Sequence, residues 1–168
     1  MSAQPLEQGV DHFRGPSSGP VILMYGDYEC PYSRKAMREI EYVQAGDNRV
    51  GFAFRHFPLT EIHPHALAAS LAAEAAAEQG RFWEMHDLLF HRQKALAEDD
   101  LVGYAAELGL EVESFERARA GDAALARVRR DVQSGEAAGV QGTPTLFIDG
   151  RPHDGSYAAD ALRAALGG

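Results

Sequence analysis

One short stretch constrains the fold more than any other: Val21-Ile22-Leu23-Met24-Tyr25-Gly26-Asp27-Tyr28-Glu29-Cys30-Pro31-Tyr32-Ser33. It begins as an apolar run bounded by Gly19-Pro20 and Gly26-Asp27, the pattern of a short buried strand. It ends in Cys30-Pro31, and a helical pattern follows. Proline suits the first turn of a helix, where its missing N–H would have no partner. Cys30, the only cysteine of the chain, is therefore expected at the N-terminal tip of a helix, directly after a core strand.

That position has a chemical consequence. Unpaired N–H groups and the positive end of the helix dipole favour a negative charge there. A thiol so placed ionises more readily, and the thiolate is the nucleophile. The neighbouring carboxylate of Glu29 pushes the other way. The competing reading is a buried cysteine used as a small apolar filler.

A second stretch bears on the choice. Gly139-Val140-Gln141-Gly142-Thr143-Pro144-Thr145-Leu146-Phe147-Ile148-Asp149-Gly150 sets a glycine-flanked X-Pro before a β-rich run and an Asp-Gly turn. A proline just ahead of a strand is where a cis peptide bond would occur. Together the two stretches resemble the thioredoxin-like superfamily. With the long helical middle segment described below, the nearer resemblance is to the DsbA-like branch of bacterial thiol–disulfide oxidoreductases, over roughly Asp11 to the end. In that family a Cys-Pro-x-Cys site opens the first helix. A cis-proline loop of the form Gly-Thr-Pro-Thr lies opposite and receives the substrate backbone. The resemblance thus implies a nucleophilic Cys30, with Pro31, Tyr32, Thr143 and Pro144 contacting the substrate.

The sequence departs from that family at Ser33: the site reads Cys30-Pro31-Tyr32-Ser33. The two-cysteine mechanism needs a resolving thiol to attack the mixed disulfide, and a serine hydroxyl cannot form a disulfide. Oxidation of a dithiol substrate by the usual route is excluded for this sequence. The Ser33 hydroxyl can bond the Cys30 thiolate from three residues along the first helical turn, or it is a passive replacement for cysteine.

The totals narrow the classes. At 168 residues the chain is expected to form one domain. Lys plus Arg is 16 and Asp plus Glu is 25, a net charge of −9, which argues against non-specific binding to nucleic acid or an anionic membrane. No stretch approaches the ~20 apolar residues of a membrane span. The first twenty residues carry neither a basic n-region nor an apolar run, so the chain reads as cytoplasmic; a periplasmic chain relieved of its leader would read the same.

In chain order, residues 10–14 suggest an edge strand and 21–25 a core strand. A helix follows over 31–45, with Ala36, Met37, Ile40 and Val43 at three- and four-residue steps, then a parallel strand over 50–57 closed by Pro58. Residues 63–78, 81–93, 99–109, 112–120 and 123–138 read as helices. Residues 145–148 and 151–153 form a hairpin across Asp149-Gly150, and 158–166 a last helix. The expected architecture is α/β: a thioredoxin-like fold whose central mixed β-sheet is flanked by helices. Its core spans about 10–60 and 139–168, and an all-helical insertion over about 61–138 separates the βαβ and ββα halves.

Other residues carry weaker signals. His63-Pro64-His65 lacks the helical spacing of zinc motifs, and with one cysteine no metal site is expected among His56, His63, His65, His86 and His91. His56 reads as a solvated strand-end histidine rather than a base for the thiol. Phe82, Trp83, Phe90 and Tyr104 read as core. Tyr32 either shapes access to the sulfur or covers the helix tip.

Three functional readings remain. The first is a thiol–disulfide oxidoreductase working through Cys30 alone on protein or peptide thiols and disulfides, with glutathione or another external thiol as co-substrate and no bound cofactor. The second is a peptide- or thiol-binding module without turnover. The third is a glutathione-dependent transferase or isomerase, in which a serine near the helix tip holds the glutathione thiolate.

Overall fold

The computed structural model describes residues 1–167. Its sheet has five strands in the order β1 (His12–Arg14), β3 (Gly51–His56), β2 (Val21–Gly26), β4 (Thr145–Ile148) and β5 (Arg151–His153). Only β2 and β3 run parallel; the other pairings are antiparallel, so the sheet is mixed as expected. Between β2 and β3 lies α1 (Pro31–Gly46), the crossover of a βαβ unit. Between β3 and β4 come α2 (Ala66–Ala77), α3 (Phe82–His91), α4 (Glu98–Glu107), α5 (Val112–Arg119) and α6 (Asp122–Ala137). The chain then turns through β4 and β5 and ends in α7 (Ala159–Ala165). Asp149 and Gly150 both take positive φ, 49° and 82°, which is the backbone a two-residue hairpin turn requires.

Strand alternation sorts the core onto two faces. Ile22 and Met24 of β2 and Phe52 and Phe54 of β3 join α1, the helical insertion and Leu162 of α7 in the larger cluster. Val21, Leu23 and Tyr25, with Ala53 and Phe147, face the other way and pack near Val132 of α6 and Leu6 of the N-terminal segment. Phe82, Phe90 and Tyr104 are buried in the larger cluster and Trp83 packs against it. α6 approaches the sheet at Gly135, where an added Cβ would lie 2.8 Å from the Phe57 ring and 3.1 Å from the Tyr25 ring.

The second face also holds a buried charge. Arg55 is fully buried and uses its whole guanidinium: to both Asp11 oxygens at 2.9 and 3.0 Å, to the Tyr25 hydroxyl at 2.9 Å, and to the carbonyls of Gln4 and Pro5 at 3.2 and 3.1 Å. Burial would raise the Asp11 carboxyl. Hydrogen bonds from Arg55, the Glu7 N–H and Arg130 outweigh it and hold the group well below its ordinary range.

His56 is corrected by the structure. It is fully buried, not solvated, and its Nε2 donates to Glu74 at 2.7 Å; His12 Nε2 donates to the same oxygen at 2.8 Å. Burial lowers His12, and hydrogen bonds from both rings hold the Glu74 carboxyl low against its own burial. These three residues bring metal-capable atoms within 4.8 Å. Their 2.7 and 2.8 Å separations are those of hydrogen bonds, shorter than the ~3.3 Å between ligands on a tetrahedral zinc with 2.0–2.1 Å bonds.

Candidate active site around Cys30

Cys30 is the N-cap of α1, in extended backbone, with Pro31 at the first helical position. It is 3 % exposed. Its amide donates to Asp27 O at 3.0 Å, and its sulfur donates to Thr143 O at 3.5 Å. The Thr143–Pro144 peptide bond is cis. The fold therefore brings together the two stretches set 113 residues apart in the chain. The Thr143 hydroxyl oxygen is covered and has no hydrogen-bond partner among the described residues. Tyr32 is 60 % exposed.

Ser33 lies at zero exposure, and its hydroxyl accepts the Asp27 N–H at 3.2 Å. The bond to the Cys30 sulfur that the sequence permits is not formed. A hydroxyl turned inward to the main chain is also badly placed to hold an external thiolate, which removes the support for the transferase-like reading.

Asp27 is the residue that sequence reasoning missed. It is fully buried, and each of its polar atoms is engaged. Oδ1 accepts the Glu29 N–H at 2.7 Å; Oδ2 accepts the Leu59 N–H at 2.9 Å and His63 Nδ1–H at 2.7 Å. Glu29 Oε1 in turn accepts the His65 N–H at 2.8 Å. The loop after β3 is thereby sewn onto the thiol loop. The predicted helix start at residue 63 gives way to Ala66, because His63 and His65 are drawn into these contacts. The Gly26-Asp27 turn signal was visible in the sequence; its partners 32 and 36 residues away were not.

One groove opens beside the residues that neighbour Cys30 in sequence and another beside Pro144. Glu29, Pro31, His65, Gln93, Lys94 and Leu96 line one. Pro144, Leu146, His153, Tyr157 and Met1 line the other. Burial, with a smaller contribution from the nearby Cys30 sulfur, pushes the Tyr157 hydroxyl up.

A cysteine capping the first helix of a βαβ–ββα sheet, facing an X-Pro loop, defines a thioredoxin-like thiol site. The comparisons agree: the chain belongs to the thioredoxin family, whose model, described as Thioredoxin, matches residues 7–167. Among solved structures it is similar to a thioredoxin-like oxidoreductase from Silicibacter pomeroyi, with a TM-score of 0.85 and 24 % identity over 95 % of this chain and 92 % of that one. Oxidised BdbD from Bacillus subtilis gives 0.84 and 20 % over 99 % and 95 %. These likenesses establish the DsbA-type fold. Among curated proteins it is 43 % identical over 163 residues to a Na(+)/H(+) antiporter NhaA 1 of Salinispora arenicola, and 42 % identical over 165 residues to an NhaA of Herminiimonas arsenicoxydans. The alignments cover 96 % of this chain but only 25 % and 26 % of those proteins, so the chain spans about a quarter of the length of these relatives. Among the described residues no helix is long and apolar enough to cross a membrane.

Proposed function

We propose that this protein carries out thiol–disulfide exchange through Cys30 alone. The Cys30 thiolate attacks one sulfur of a disulfide R–S–S–R′, forming Cys30–S–S–R and releasing R′–S⁻. An external thiol such as glutathione then attacks the Cys30 sulfur, releasing R–S⁻. A second glutathione restores the Cys30 thiolate and leaves as glutathione disulfide. Where R carries another thiol, its attack on the R sulfur returns free Cys30 and an isomerised substrate. No cofactor takes part beyond the external thiol, which a reducing compartment such as the cytoplasm supplies. Ion exchange, the activity in the names of the longer relatives, is not assigned to this chain.

One observation carries the reading: the Cys30 sulfur lies 3.5 Å from Thr143 O, on the loop of Pro144. An extended peptide docked along Thr143 would set its sulfur beside Cys30 and offer a partner to the Thr143 hydroxyl. The 3 % exposure of Cys30 favours the binding-module alternative instead, because a covered thiol must first be uncovered.

Turnover decides between them. With a peptide–glutathione mixed disulfide and excess glutathione, the wild type gives catalytic release of the peptide thiol, and Cys30→Ala abolishes it. Binding of the peptide without turnover, equal in both proteins, refutes exchange. In a separate assay with glutathione disulfide as the oxidant, Ser33→Cys forms a disulfide between its new thiol and Cys30 with release of two glutathiones, and that disulfide oxidises a dithiol substrate.

A further inference from the structure

Gln93 follows α3 in the chain, and its side-chain amide ends on the main chain of the thiol loop, 63 residues away from Cys30 in sequence. Its Nε2 donates to Tyr28 O at 2.8 Å and to Cys30 O at 2.9 Å. An amide NH2 carries two N–H groups, and both are used here. Cys30 O also accepts the Arg34 N–H at 3.2 Å, the first rung of α1. Gln93 thus grips the carbonyls on either side of the Glu29–Cys30 step, from within the groove that Glu29, Pro31 and Lys94 also line.

We propose that Gln93 is a positioning residue for the Cys30 thiol: by holding the Tyr28 and Cys30 carbonyls it keeps their negative ends off the sulfur and favours the thiolate. The inference rests on the exchange reading of the site. Carbonyl oxygens turned toward a thiolate disfavour its charge, and N–H groups favour it. The helix tip supplies N–H groups, but the loop before it also carries carbonyls and the Glu29 carboxylate. Gln93 is the side chain from the helical insertion that pairs with those carbonyls.

Three variants separate this role from mere attachment of the insertion. Gln93→Met keeps the length and loses both donors. Gln93→Glu sets acceptors against the two carbonyl oxygens. Gln93→Lys keeps a donor. Alkylation of Cys30 is followed against pH in each full-length protein, at a temperature where circular dichroism shows it folded. The expected order at neutral pH is Lys at or above wild type, then Met about three- to tenfold slower, then Glu slower still, with the profiles displaced along the pH axis. The other titratable groups around the thiol, Asp27, Glu29 and Tyr32 on its own loop and helix, His63 and His65 on the loop after β3, Lys94 and Asp100 along the groove, and His153 and Tyr157 on the Pro144 side, are unchanged in all four proteins. A Met profile superimposed on the wild type overturns the proposal. So does uniform slowing at every pH without displacement, which reports altered access. If the wild type forms no mixed disulfide with glutathione disulfide and yet the Met profile is displaced, the exchange reading falls and the positioning role stands.

Discussion

Replacing Asp27 by Asn tests whether this buried carboxylate holds the thiol loop to the loop after β3. The side chain accepts three N–H groups, from Glu29, Leu59 and His63, at 2.7, 2.9 and 2.7 Å. An Asn amide offers one oxygen. With that oxygen in the place of Oδ2 it keeps the Leu59 and His63 donors. The Glu29 N–H then faces the amide NH2. Leaving one partly buried donor unpaired costs about 1–3 kcal/mol, and weakening the remaining charge-assisted bonds adds roughly 1 kcal/mol. The expected loss is ~2–4 kcal/mol. Asp27→Ala orphans all three donors and should lose more. His63→Ala removes one mostly buried partner and should lose ~1 kcal/mol. Urea unfolding followed by circular dichroism measures all three, and the midpoints should fall in the order His63→Ala, Asp27→Asn, Asp27→Ala. A loss below ~1 kcal/mol for Asp27→Asn, or an inverted order, would refute the claim that this carboxylate joins the two loops.

Other outcomes follow from the same contacts. Stability should fall on acidification from about pH 6.5 to pH 4. Burial sets His12 and His86 below their ordinary 6.5, so the unfolded chain takes up those protons first and the loss begins as pH drops through 6.5. Glu74 and Asp11, held below 4.5 and 3.8, contribute fully above those values and extend the loss at lower pH. A urea midpoint that stays flat across this range contradicts the assignment. Gly135→Ala presses a methyl into the Phe57 and Tyr25 rings and should destabilise by about 1–2 kcal/mol, whereas Gly103→Ala in α4, with open space around it, should stabilise by ~0.5–1 kcal/mol. Thermal melts showing the same sign for both would exclude this account of the α6 contact. Arg55→Met takes two bonds from Asp11, which keeps the Glu7 N–H and Arg130, and should cost ~3–5 kcal/mol in chemical denaturation, partly recovered in Asp11→Leu/Arg55→Met.

The sequence disclosed what depends on periodicity and local chemistry. The apolar run over residues 21–25 and the stretch 50–57 closed by Pro58 marked the two central strands, Pro31 marked the opening of α1, and Asp149-Gly150 marked the hairpin. Thr143 and Pro144 were assigned to the thiol site through family resemblance, and the fold sets them beside Cys30. The polar partnerships were not legible. Asp27 with His63, Gln93 with Cys30, and His56 with Glu74 join residues 36, 63 and 18 apart. Such pairs leave no repeating trace, because each is set by where two separate elements meet. His56 illustrates the failure: it stands at a strand end, where solvent is the usual neighbour, but α2 lays Glu74 over it.

The Arg55 guanidinium grips Gln4 and Pro5 by their carbonyl oxygens, a feature every amino acid possesses. The leading residues are therefore recognised by path and not by spelling. Exchanging either side chain should pass almost unnoticed, while deleting a single residue between Pro5 and Asp11 would shift the oxygens out of reach of a cation that has no water to turn to.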